Sequence, residues 1–92
     1  MISALPAHTF TYAGCTHNVY HCTVGEGLPR HEHTFQHATV CHSGKIIIRK
    51  ENFEMFADKS TTPIVLKENA WHEIEAVEDG TVFENIFVAQ PY

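Results

Sequence analysis

Arginine and lysine are scarce: six basic residues stand against eleven acidic ones in 92, a formal net charge of -5, and the basic residues nowhere cluster. A nucleic-acid surface needs a cationic footprint, so nucleic acid is excluded as an expected partner. Long apolar runs are missing too. No stretch of about 18 apolar residues could cross a bilayer as a helix, and Met1-Ile2-Ser3-Ala4-Leu5-Pro6 has neither the basic start nor the apolar core of a secretory signal. The expectation is no membrane and a cytoplasmic location. Cys15, Cys22 and Cys41 are odd in number and lack Cys-x2-Cys spacing, which fits reduced thiols rather than a disulfide framework. Repeats, linkers and low-complexity segments are absent. The length allows a single domain, 1–92, whose modest core would gain from a bound metal or a second copy of the chain.

Helical periodicity is lacking as well. Apolar residues recur at period two or in short runs between turn residues, the pattern of many short strands. Strands are expected at 8–13, 17–24, 33–41, 45–50, 53–57, 63–67, 71–77 and 81–88. Breaks fall at Gly14, the 25–29 loop, Ser43-Gly44, 50–52, 58–60, Asn69 and 78–80. Such spacing predicts an all-β sandwich or barrel.

Histidine, by contrast, is abundant, with eight in the chain. His31, His33 and His37 share one parity, so on an extended strand they would converge on one ion from one side of a sheet. In 71–77, His72, Ile74 and Ala76 share the apolar face, so His72 should point inward. Four neutral imidazoles suit a borderline divalent transition metal: Zn, Ni, Mn, Fe or Cu. His8, His17, His21 and His42 are expected to be surface or hydrogen-bonded residues.

From Gly25 to Gly44 the sequence resembles the first motif of the cupins, Gly-x5-His-x-His-x3-(acid)-x6-Gly, with His37 where most members carry glutamate. Lys67-Glu68-Asn69-Ala70-Trp71-His72 is similar to the second motif, Pro-x-Gly-x2-His-x3-Asn. Lys67, Asn69 and Ala76 depart from it, Asn69 most mildly because asparagine tolerates the left-handed conformation. The motifs and the strands between them cover about 25–88. The resemblance implies a cupin-type antiparallel β-barrel, the double-stranded β-helix or jelly roll, with a metal held by His31, His33, His37 and His72. It does not choose a substrate, because cupins include dioxygenases, isomerases and plain binding domains. A four-histidine set is similar to that of some cupin oxygenases and of a zinc-containing cupin cyclase. Replacing the glutamate by His37 raises the charge of the site by one unit and removes a carboxylate base.

Two classes stay open. One is a metal-dependent enzyme acting on a small oxygen-chelating metabolite, of dioxygenase or isomerase/cyclase type. The other is a non-catalytic metal or small-molecule binding module. Octahedral coordination would leave two positions for substrate, whereas tetrahedral zinc would be closed. Arg30 is placed to face an anion at the cavity mouth or to be solvated. Trp71 is expected to pack at the mouth, and Glu32 and Gln36 to lie on the surface or beside the ligands. Tyr12, Tyr20 and Tyr92 could each supply a hydroxyl, and spacing selects none. Phe10, Tyr12, Phe83, Phe87 and Tyr92 near the termini suggest an uncovered apolar surface and a two-fold homodimer.

Overall fold

The structure, a computed structural model, describes residues 1–88 and contains only strands as regular elements there. They are β1 (Ile2–Ser3), β2 (His8–Tyr12), β3 (Cys15–Cys22), β4 (Glu26–His31), β5 (His37–Ser43), β6 (Ile46–Lys50), β7 (Phe53–Ala57), β8 (Ile64–Leu66), β9 (His72–Ala76) and β10 (Thr81–Val88). Two five-stranded sheets face each other, ordered β1-β4-β9-β6-β7 and β2-β3-β10-β5-β8. All pairings are antiparallel except that of β1 with β4.

Period two decides what lies between the sheets. Ile46, Ile48, Ile74 and Ala76 from one sheet meet Tyr20, Cys22, Cys41, Leu66 and Phe83 from the other in a single buried cluster. Tyr20 stacks on Phe83 with ring centroids 4.8 Å apart. The inward residues change character along the strands. β9 runs from His72 through Ile74 to Ala76, β5 runs from His37 through Thr39 to Cys41, and all six are buried. One end of the barrel is therefore a hydrocarbon core, and the other is lined by imidazoles and hydroxyls.

Two expectations need correction. Residues 25–29, expected as a loop, lie largely in β4, which pairs with β9. Gly27 marks the close approach, since a Cβ there would run into the backbone carbonyl of Ile74. The register shifts between Leu28 and His31, which accommodates Pro29 without a ladder hydrogen bond. The expected 33–41 strand begins only at His37, and His33 stands in the irregular connection between the sheets, just before the bend at Thr34 and Phe35. Asn69 is left-handed, with φ 59°, as its turn requires.

The outer faces of the sheets differ. On the first, Arg49 donates to Glu75 at 2.9 Å and lies 3.7 Å from Glu54. On the second, the register aligns His8, Phe10 and Tyr12 with Val19, His17 and Cys15, and then with Glu84, Ile86 and Val88. Phe10, Tyr12, Val65 and Val88 are exposed there.

Candidate metal centre

His31 closes β4, His33 sits in the crossing connection, His37 opens β5 and His72 opens β9. Convergence thus comes from both sheets rather than from one strand's parity. His31 and His72 are cross-strand partners, with ring centroids 4.5 Å apart. The His33 ring lies 5.0 Å from those of His37 and His72. One ligand atom each from His31, His33 and His72 lies within 4.8 Å of the others, a grouping able to hold a metal ion. His37 Nε2 stands 3.3 Å from His72 Nε2.

Hydrogen bonds on the far sides of the rings fix their tautomers. His31 Nδ1 donates to the Pro29 carbonyl at 2.8 Å, His33 Nδ1 to the Phe35 carbonyl at 2.6 Å and His72 Nδ1 to the Ala70 carbonyl at 3.2 Å. A carbonyl can only accept, so each Nδ1 carries the proton and each Nε2 keeps a bare lone pair. At His37 the same logic runs through a hydroxyl. Thr39 gives its hydrogen to Asn85 Oδ1 at 2.7 Å and therefore accepts from His37 Nδ1 at 3.2 Å. His37 Nε2 and His72 Nε2 then face each other as two acceptors, an arrangement that calls for a cation between them. Their separation lies inside the roughly 4.2 Å that two metal–nitrogen bonds of about 2.1 Å can span. These donors fit a divalent transition metal, and carbonyl or hydroxyl partners on the second ring nitrogen are the usual support for such ligands.

Electrostatics agrees. Burial, followed by the facing His72 and His33, lowers His37 to about 3. Burial, followed by His31 and His33, lowers His72 to about 4. Both imidazoles are thus neutral and available at physiological pH.

Beside the imidazoles opens a cavity of about 440 Å³, lined in part by Asn18, Tyr20, Arg30, Phe35, Asn85 and Phe87. That volume suits a small molecule. Phe35 stacks on His33 at 4.3 Å and meets Phe87 at 4.8 Å. The Arg30 guanidinium lies 3.9 Å over the Trp71 ring, so Trp71 supports the cavity's cation. Glu32 and Gln36 are exposed. Of the three tyrosines only Tyr20 lines this cavity; Tyr12 is exposed, and Tyr92 lies outside the described residues. Burial pushes the Tyr20 phenol up, partly offset by Asn18, so it keeps its proton.

Sequence reasoning missed a second cluster, on the outer face of the second sheet. Glu84 bridges His17 Nδ1 at 2.6 Å and His42 Nε2 at 2.7 Å, and Phe10 stacks flat on His17 at 4.6 Å. Only the β3-β10-β5 register unites these residues, and no local motif announces it. All three cysteines are free thiols, and among the described residues no helix is long and apolar enough to cross a membrane.

No protein-family model matches the chain, and no curated protein matches it. Solved structures do. KdgF from Halomonas sp. aligns with TM-score 0.79 at 12% identity, over 91% of this chain and 77% of that one. A cupin superfamily protein from Desulfitobacterium hafniense aligns with TM-score 0.75 at 11% identity, over 95% and 78%. A cupin domain from Bordetella pertussis aligns with TM-score 0.70 at 14% identity, over 97% and 96%. Identities this low speak for the fold alone. With its two facing five-stranded sheets and a histidine cluster at one end, the chain has the cupin fold, the double-stranded β-helix.

Proposed function

We propose that His31, His33, His37 and His72 together hold one divalent transition metal, and that the chain is a small metal-dependent enzyme. Its substrate is a metabolite that chelates the ion through oxygen, and the chemistry is of dioxygenase or isomerase/cyclase type. The observation that carries this reading is the pair of bare Nε2 atoms 3.3 Å apart, each with its Nδ1 proton already committed elsewhere. When bound, the ion supplies Lewis acidity or oxygen activation at positions the four nitrogens leave open. The chain's own residues do the rest. Three carbonyls and Thr39 hold the rings, Phe35 and Phe87 keep part of the wall dry, and Tyr20 holds a proton at its hydroxyl within the cavity.

One observation favours the rival reading, a non-catalytic binding module: among the described residues no carboxylate lines the cavity to serve as a base. Cobalt-substituted protein separates the two. We expect about one metal per chain by elemental analysis and the weak absorption bands of five- or six-coordinate cobalt, altered by small chelating acids. An intense tetrahedral spectrum unmoved by such acids favours the binding module. Failure to take up Zn, Mn, Fe, Ni, Cu or Co sinks the metal assignment.

We further propose a homodimer formed through the second sheet's outer face, where Phe10, Tyr12, Val65 and Val88 are exposed and Glu84 is shielded by His17 and His42. Light scattering should give twice the 10.4 kDa chain mass at micromolar concentration; the monomer mass would contradict this. The three free thiols support a reducing, cytoplasmic location.

A further inference from the structure

Around the imidazoles the cavity wall is partly apolar, with Leu28, Phe35 and Phe87, and its remaining polar side chains present chiefly donors and positive charge. Asn18 Oδ1 is taken by the Thr9 hydroxyl at 2.9 Å, and Asn85 Oδ1 by the Thr39 hydroxyl at 2.7 Å. The Asn85 amide therefore has its NH2 left for the cavity, while the Asn18 NH2 is engaged by the Tyr20 hydroxyl. The direction of Asn85 is tied to the metal centre. His37 can present a bare Nε2 only if its Nδ1 proton goes to Thr39, which in turn sends the Thr39 proton to Asn85 Oδ1. Tyr20 adds an O–H and Arg30 a guanidinium, while among the described residues no aspartate or glutamate lines the cavity. Four neutral imidazoles leave a divalent ion's charge unbalanced, and Arg30 adds one more, inside a chain of net charge -5. Positive charge at a cavity with no counter-charge among its described lining residues favours an anionic ligand.

Resting on the metal reading above, we propose that the cavity selects a small dicarboxylate whose oxygens act as acceptors, chelating the ion at one end and met by Arg30, Asn85 and Tyr20. A neutral molecule of the same shape that brings N–H groups would face donors with donors and leave the charge unbalanced, so discrimination should be strong.

The test uses cobalt-loaded protein of measured metal content, titrated with malate and with its neutral diamide, malamide. Binding is followed by calorimetry and by the cobalt spectrum, and protein-bound cobalt is measured again afterwards. Malate should bind at least tenfold more tightly than malamide and alter the spectrum with cobalt retained. Arg30→Gln, a change at an exposed residue that is no ligand, should weaken malate at least fivefold at unchanged metal content. Equal affinities for malate and malamide, or malate binding indifferent to Arg30→Gln, would overturn the proposal. No binding of either by metal-loaded protein also overturns it and leaves the metal centre intact. Absence of metal uptake is visible before any titration and removes both readings.

Discussion

The barrel carries two histidine clusters, one without a carboxylate and one built around a carboxylate. Inside, four imidazoles face one another with no anion among them, and burial together with mutual repulsion keeps His37 and His72 unprotonated. Outside, His17 and His42 clasp Glu84. Burial alone would raise that carboxyl, but the hydrogen bonds from His42 and His17 outweigh it and hold the pKa below the ordinary carboxylate value. The same side chain thus stays neutral with a free nitrogen lone pair in one place and is a partner for an anion in the other. What an imidazole does is decided by its neighbours.

Removing the metal should have the largest effect. A ligand at a thousandfold excess over its Kd stabilises by about 4 kcal/mol, and in a domain of this size each kcal/mol moves the melting temperature by roughly 4–8 °C. We therefore expect strong chelator to lower it by roughly 15–30 °C, as read by calorimetry. A melting curve indifferent to chelator, in protein shown to hold metal, breaks the comparison at its interior end.

Acid sharpens it next. The interior values of about 3 and 4 lie below the ordinary 6.5, so the unfolded chain binds protons that the folded metal-free chain refuses. The stability contributed by these groups is complete above about pH 6.5 and drains away as pH falls toward 4, by on the order of 1.4 kcal/mol per unit for each histidine. Glu84 works in a lower window, because its depressed value contributes stability that is lost only as pH falls below the ordinary carboxylate range. Denaturant melts of metal-free protein at stepped pH should show the earlier loss. A flat profile between pH 6.5 and 4.5 would contradict it.

Glu84→Gln should cost about 1–2 kcal/mol near neutral pH, the worth of a largely buried charge-assisted hydrogen-bond pair, and should erase the lower window while leaving the upper one. His42→Gln should have the smallest effect, about 0.5 kcal/mol or less, because the His42 side chain is 48% exposed. Equilibrium unfolding reads both changes, and neither should alter metal content. If Glu84→Gln lowers metal content, the two clusters are not independent.

Much of this was legible in the sequence. The two motifs picked out His31, His33 and His72, which the fold gathers, and His37, which faces His72, and period two gave most of the strands and the inward direction of His72. What escaped had physical reasons. Gly25-Glu26-Gly27-Leu28-Pro29 reads as a turn, yet Gly27 serves close strand packing and Pro29 sits at the register shift, so β4 survives both punctuating residues. His33 was expected on a strand and lies in the irregular connection after β4, where its convergence with His31 and His72 depends on the chain crossing between sheets. The contact of His17, Glu84 and His42 joins residues 42 and 67 positions apart, which no local pattern reveals. Tyr20 was selected among the tyrosines only once the cavity existed.

Asn69, left-handed at the turn before His72, donates its N–H to the His33 carbonyl at 2.8 Å and so joins two stretches distant in sequence. His37 and His72 are 35 positions apart, and the four-imidazole set exists only after β4 has found β9. Pairings of such long range form slowly. On the proposed metal reading, an ion that recognises only the finished set would bind after the folding barrier has been crossed. It would then do little to hasten folding and much to delay unfolding, so that metal supply sets the lifetime of the folded chain.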